Sequence, residues 1–210
     1  FVPLFNLSLP FLSIKRKVYV EHNTAFSRHK EMPRWIRFAH KLQTIVLRLS
    51  RVRHLAVTSE IKRLEGLPSS TVVMPNGYEG RVVKGSVRNP PQEKIAPLRE
   101  AREGRKKIFC FVTTSDFHWH GLSRIIELCE GLENSFLLVI GAVVETAKLK
   151  ALEKQGRGLF LGPVSPEELP GYYRFVDFGL GPFNVESRGL LESCPIKVRE
   201  YLWNGIPAII

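Results

Sequence analysis

Short apolar strands alternating with helices predict an α/β fold built on doubly wound parallel sheets. Three observations carry that expectation. Runs such as Ile108–Val112 and Phe136–Ile140 are continuously apolar, as strands covered on both faces are. The segments between such runs repeat apolar residues every three or four positions, which is the helical period. Turn signals such as Pro75-Asn76-Gly77 and Asn204-Gly205-Ile206-Pro207 stop the runs.

Taken in order, Lys17–Glu21 is a β-branched and aromatic strand that ends in the polar His22-Asn23-Thr24. Pro33 then opens a long segment in which Trp35, Phe38, Leu42, Ile45, Leu49 and Val52 mark an amphipathic helix. On one reading that stripe faces the core and the basic face is merely solvated. The opposite face carries Arg34, Arg37, Lys41, Arg48 and Arg51, and no acid occurs between Met32 and Ser59. Leu55–Thr58 reads as a strand, Ser59–Leu64 as a short helix and Thr71–Met74 as a strand. Residues 84–107 hold Pro90, Pro91 and Pro97 among many charges, with no apolar period, and so predict an interdomain linker.

Beyond it the alternation is regular. Ile108–Val112, Phe136–Ile140, Leu159–Leu161 and Val176–Leu180 are strands; Leu122–Leu132, Thr146–Gln155 and Pro166–Arg174 are helices. The expected domains are residues 1–88 and 107–210, joined by 89–106. Ligands of such sheets bind beyond the carboxyl ends of the strands. The loops that qualify are Thr113–Gly121, Gly141–Glu145, Gly162–Pro166 and Phe183–Pro195.

The last of these runs into the most informative stretch, Glu192-Ser193-Cys194-Pro195-Ile196-Lys197-Val198-Arg199-Glu200. Pro is welcome in a first helical turn and Asn-Gly followed by Pro is a stop, so Pro195–Trp203 reads as a short helix. Unsatisfied N–H groups and the helix dipole attract phosphate to such a start, and Lys197 can reach the same anion. Were the stretch all helical, Glu192 and Glu200 would lie roughly 12 Å apart. That spacing suits a nucleotide-sugar, with hydroxyls at each end and phosphates between. A plain solvated face, with Lys197 and Glu200 as an i,i+3 pair, fits the same residues.

Composition narrows the classes. Hydrophobic content of 44% with 24% charged residues is ordinary for a globular protein of 210 residues. Three cysteines, Cys110, Cys129 and Cys194, lack metal-ligand spacing and read as free thiols of a reducing, cytoplasmic compartment. No run is long enough for a membrane span, and Phe1–Ile14, followed by Lys15-Arg16-Lys17, inverts the order of a signal peptide. The chain lacks an initiating Met and ends in the apolar Ile206–Ile210, so it reads as an internal piece of a longer protein. The net charge of +11 is uneven. Residues 1–59 carry eleven Lys/Arg against two acids, and the remainder twenty against eighteen. One positively charged face is expected, not a chain that binds nucleic acid throughout.

Several segments together resemble GT-B glycosyltransferases, specifically glycosyltransferase family 4. They are His22 in YVEHN, Val57–Leu64 (VTSEIKRL), Val73-Met74-Pro75-Asn76-Gly77 and Trp119-His120-Gly121-Leu122. Phe160-Leu161-Gly162, Glu168-Leu169-Pro170-Gly171-Tyr172-Tyr173 and Glu192 through Pro207 complete the set. The resemblance implies two Rossmann-like domains, both incomplete, with the active site in the cleft between them. Residues 1–88 would be the later part of the acceptor-side domain and residues 107–210 most of the donor-side one. It further implies that Glu200 binds the ribose hydroxyls and that Glu192 contacts the transferred sugar. By the same resemblance, the backbone N–H groups available along Ser193, Cys194, Pro195 and Ile196 would hold the diphosphate. His22 would lie near the transferred sugar. An Arg and a Lys of the phosphate clamp fall on Thr114 and His120, which puts the clamp in doubt unless Lys197 substitutes.

The expected reaction is a retaining, metal-independent transfer from a nucleotide-sugar to a glycan or lipid-linked acceptor. No cofactor is expected, the nucleotide-sugar being a substrate. The only aspartates are Asp116 and Asp177, so no Asp-x-Asp metal motif exists. Helix N–H groups and cations must then stabilise the leaving diphosphate. The basic residues Arg34, Arg37, Lys41, Arg48 and Arg51 suit reversible docking on an anionic membrane surface, at about 1 kcal/mol each. A nucleic-acid-binding protein needs aromatics interleaved with basic residues on exposed elements, whereas Trp35 and Phe38 fall on the apolar stripe. A catalytically inactive fragment is the remaining alternative.

Overall fold

The computed structural model describes residues 17–25, 32–78, 87–115, 117–144 and 146–210. Chain contacts divide into two units: the described residues of Phe1–Asn76 with Val185–Cys194, and those of Gly77–Asn184 with Pro195–Ile210.

In the first unit, β1 (Tyr19–His22), β2 (Arg53–Ala56) and β3 (Val72–Val73) form a parallel sheet in that order. Helix α1 (Arg34–Arg48) crosses from β1 to β2, and α2 (Ser59–Leu64) follows β2. Thr58 starts α2 where expected, because its hydroxyl accepts the Ile61 N–H at 3.1 Å. Ala25, Ala56, Val57, Ile61, Leu67 and Leu190 form the core.

Two expectations for α1 fail. The helix stops at Arg48 and leaves Arg51 in the following turn, where the Ser50 hydroxyl bonds the Leu47 carbonyl at 2.7 Å. Its apolar stripe does not face the core. His40, Thr44 and Leu47 are the buried residues of the helix, and Trp35, Phe38, Leu42, Ile45 and Leu49 are exposed. Val52, past the helix end, is buried.

In the second unit, β4 (Lys107–Thr113), β5 (Ser135–Gly141), β6 (Gly158–Leu161), β7 (Phe178–Leu180) and β8 (Ala208–Ile209) build one parallel sheet in the order β6-β5-β4-β7-β8. Alternate residues supply its two faces. Ile108, Cys110, Phe136, Leu138 and Ile140 pack with α3 (Gln92–Glu103), α6 (Leu169–Tyr173) and α7 (Ile196–Trp203). Phe109, Phe111, Leu137 and Val139 pack with α4 (Leu122–Glu130) and α5 (Ala147–Lys154). This is the doubly wound sheet that the alternation predicts. Cys110 and Cys129 are buried free thiols, and burial raises the pKa of both.

Helix α3 occupies the segment read as a linker. Ile95, Leu98 and Ala101 recur at three-residue intervals and bury one face. Pro97 is tolerated because the carbonyl it deprives belongs to Glu93, exposed in the first turn and open to water.

Candidate functional site

The strand order of the second unit reverses between β4 and β7, and a switch point of this kind opens a crevice at the carboxyl ends of the strands. Here the opening has a visible cause. Strand β4 pairs with β7 only at Phe109 and Cys110. Farther on, the Val112 N–H donates to the Tyr201 hydroxyl of α7 at 2.9 Å. The buried Tyr201 ring lies where Gly179 has no side chain; a Cβ there would meet Cδ2 of Tyr201 at 2.2 Å.

The loops after β4 and β7 are laced together at this point. The Phe183 N–H donates to the His120 carbonyl at 3.0 Å, and Arg124 reaches the Phe183 carbonyl at 2.8 Å. Asn184 bonds the His118 carbonyl at 3.3 Å. Gly121, at φ +69°, is required at this crossing, since a Cβ would sit 2.9 Å from the Phe183 carbonyl carbon. His120 is buried among Phe111, Phe117 and Trp119, with Nδ1 3.0 Å from the Thr113 hydroxyl. Thr114, which follows Thr113 in the chain, is exposed.

Helix α7 supplies the charged groups. It begins at Ile196 with Pro195 as its cap residue, and no side chain caps its N–H groups. Lys197 lies one turn before Tyr201. Its Nζ sits 4.2 Å from the centre of the Phe111 ring and is buried with no hydrogen-bond partner among the described residues. Burial lowers its pKa to about 7, so the amine is poised to gain charge when an anion arrives. It therefore does not form the surface i,i+3 pair with Glu200. The Glu200 carboxylate accepts instead from the Tyr78 hydroxyl at 3.3 Å, and the Tyr78 ring meets Trp203 edge-on. Burial raises the Glu200 pKa, against the opposing effect of the Tyr78 hydrogen bond.

Glu192 and its neighbours belong to the first unit. The helix starts after Pro195, so the all-helical span assumed between Glu192 and Glu200 does not exist. Oε2 of Glu192 accepts the Glu60 N–H at 3.2 Å, while Oε2 of Glu60 accepts the N–H groups of Leu191 and Glu192 at 2.8 and 2.7 Å. Asn76 holds the Cys194 carbonyl at 2.6 Å, and Arg188 bonds the Thr24 hydroxyl. Ser193 is half-buried in this segment.

His22 ends β1 with Nε2 3.0 Å from Nδ1 of His54 on β2. Burial, and then the neighbouring His54, lower its pKa to about 4, so the ring is neutral at ordinary pH. It lines a cavity of about 150 Å³ with Thr24, His40 and Thr44.

Glu60, Tyr78 and Tyr201 were not singled out from sequence. Glu60 lies in the VTSEIKRL motif and Tyr201 directly follows Glu200, but long-range hydrogen bonds leave no mark on spacing. Asp177, one of the two aspartates, accepts the Ile108 N–H at 2.8 Å at the amino end of β4, away from the crevice. Asp116 lies outside the described residues. Among the described residues, no three His, Cys, Asp or Glu side chains are grouped to hold a metal ion.

No protein-family profile matches the chain, and no curated protein matches its sequence. Solved structures do match. The α,α-trehalose 6-phosphate synthase of Burkholderia multivorans aligns over 96% of this chain and 54% of its own, with TM-score 0.63 and 13% identity. Anabaena HepE in complex with UDP aligns over 83% of this chain and 50% of its own, with TM-score 0.57 and 13% identity. HepE in complex with UDP-glucose aligns over 82% and 49%, with TM-score 0.53 and 13% identity. The chain thus spans about half the length of these structures. At such identities the likeness is one of fold: an α/β architecture with two parallel sheets, of the GT-B type.

Proposed function

We propose that this protein is a family 4 type glycosyltransferase, with the crevice beside α7 as its nucleotide-sugar donor site. One observation carries the reading: α7 brings its N-terminus, the Lys197 amine stacked on Phe111 and the carboxylate of Glu200 to the switch point of the sheet. Each suits a different part of a nucleoside diphosphate. The N-terminus and Lys197 offset the phosphate charge, with Ser193, Cys194, Pro195 and Ile196 as the adjoining backbone. Glu200 accepts from the ribose hydroxyls. HepE, crystallised with UDP and with UDP-glucose, supports a donor of this class.

The remaining assignments belong to the same proposal. Glu192 contacts the transferred sugar, its position braced by Glu60. His22, neutral and oriented by His54, serves as a hydrogen-bonding group near that sugar and not as a cation. Thr114 and His120 line the phosphate side, and Lys197 takes over the positive charge that neither supplies. The leaving diphosphate is then stabilised without a metal, and the transfer retains anomeric configuration. The acceptor is a glycan or lipid-linked sugar, met at a membrane surface through the cations of α1.

Calorimetric titration with UDP, GDP and ADP and their sugar conjugates, without metal, tests the donor site. Saturable binding of one diphosphate, weakened about tenfold or more in Glu200→Ala, is expected. A chain that melts cooperatively and binds none of them refutes the assignment. The product's anomeric proton signal then tests retention.

A further inference from the structure

The basic face of α1 accounts for attraction to an anionic surface, but not for what lies next to it. Trp35 and Phe38 are 62% and 63% exposed and Leu49 is 84% exposed, with Leu42, Ile45 and Val46 between them also open. Single exposed apolar residues are normal; a continuous stripe of six along one helix is not. The side of α1 turned to the protein is complete without them. His40, Thr44 and Leu47 are buried there, and the Thr44 hydroxyl bonds the His40 carbonyl at 2.9 Å.

We propose that this stripe inserts into the headgroup and upper acyl region of an anionic lipid leaflet, so that α1 lies in the plane of the membrane surface. The proposal rests on the membrane-surface reading above and adds a second, apolar component to it. Charge complementarity selects the occupant. At about 100° per residue, Arg34, Lys41 and Arg48 fall along one border of the stripe, and all three are exposed. An apolar stripe edged by arginine and lysine is the pattern of an interfacial helix, whose cations stay with lipid phosphates while aromatic and aliphatic side chains enter. Lys41 and Arg48 also line an open groove of about 440 Å³ between α1 and the end of α2, together with Glu65. No described helix is long and apolar enough to cross the bilayer. Nucleic acid suits the stripe less well. Bases stack on aromatics, and four of its six residues are aliphatic.

Co-sedimentation of the full chain with vesicles of phosphatidylcholine alone, or mixed with phosphatidylglycerol, tests the insertion at low and high salt. Binding to the anionic vesicles with a fraction resistant to high salt is expected, because apolar burial is not screened. Phe38→Ser with Leu42→Ser should lower binding about tenfold at both salt concentrations, with an unchanged thermal melt. Arg34→Gln with Lys41→Gln and Arg48→Gln should abolish only the salt-sensitive part. Serine variants that bind like the parent would overturn insertion and leave the electrostatic reading standing. A parent that ignores all vesicles overturns both readings, whether it self-associates through the stripe or pellets with single-stranded RNA instead. None of these outcomes touches the donor site, which the nucleotide titration reads separately.

Discussion

In α4, Leu122, Ile125, Ile126 and Cys129 lie against the sheet and are at most 7% exposed; in α1, Trp35, Phe38, Leu42, Ile45 and Leu49 point away from it and are 43–84% exposed. Both helices carry apolar residues at the same three- and four-residue intervals. Periodicity therefore reports that one face of a helix is apolar, and leaves open what covers that face. The inward residues distinguish the two. In α1 the buried positions include a histidine and a threonine, the Thr44 hydroxyl bonding the His40 backbone carbonyl, while the stripe stays exposed. In α4 the stripe is itself part of the core between β4 and β5.

The strongest way to break this contrast is to truncate one residue from each stripe. Ile125→Ala leaves a cavity in a close-packed layer and should cost about 2–5 kcal/mol. Phe38→Ala removes a larger side chain from water and should change stability by about 0.5 kcal/mol or less. Urea denaturation of both variants measures the difference. Equal costs would mean that the α1 stripe is covered, and the docking surface would be lost with it.

The same contrast explains what could be read in advance. The second unit was legible because its strands are covered on both faces and so are apolar without interruption; each predicted strand from Ile108 to Leu180 lies within about two residues of the observed one. Helix α3 is hard to read in advance because Pro90, Pro91, Pro97 and many charges surround its three buried residues, Ile95, Leu98 and Ala101. Within the site, Lys197 and Glu200 could be placed from helix start and stop signals, which are local. Their chemistry could not. The Phe111 ring under Lys197 and the Tyr78 hydroxyl on Glu200 come from 86 and 122 residues away in sequence, and nothing in the helix itself announces either. Glu192 lies before Pro195, outside the helix, and its carboxylate accepts from the Glu60 N–H, a partner 132 positions away that no local signal announces.

A smaller effect sharpens the account of the crevice. In Tyr201→Phe the ring still fills the space over Gly179, but the Val112 N–H loses the hydroxyl that accepts its hydrogen bond. The expected cost is about 1–3 kcal/mol, that of an unsatisfied half-buried donor. Hydrogen exchange at Val112 should accelerate in this variant more than at Phe109, which lies in the paired part of β4. Unchanged protection at Val112 would show that the neighbouring strands, and not the hydroxyl, hold the splayed edge.

The two units should also differ in how they respond to pH, with slopes of at most about 1.4 kcal/mol per pH unit for each group. His22 has a folded pKa of about 4, below the ordinary histidine value of 6.5, because it is buried. Between those values the unfolded chain binds more protons, so stability falls as the pH is lowered from about 6.5 to 4. Lys197 titrates near 7 when folded and near 10.5 when unfolded. There the unfolded chain binds more protons above pH 7, so stability rises with pH from about 7 to 10.5 and is lowest below 7. Lys197→Met should therefore flatten the alkaline limb and leave the acid limb alone, while His22→Gln should do the reverse. Nucleoside diphosphate brought beside Lys197 restores the ammonium's favourable surroundings and raises its pKa toward the ordinary lysine range. Binding at pH 8 is then accompanied by proton uptake, which appears as a dependence of the calorimetric enthalpy on the buffer's ionisation enthalpy. That dependence should vanish in Lys197→Met. If it persists there, the proton is taken up elsewhere and Lys197 is a buried cation stacked on Phe111 without a part in holding phosphate.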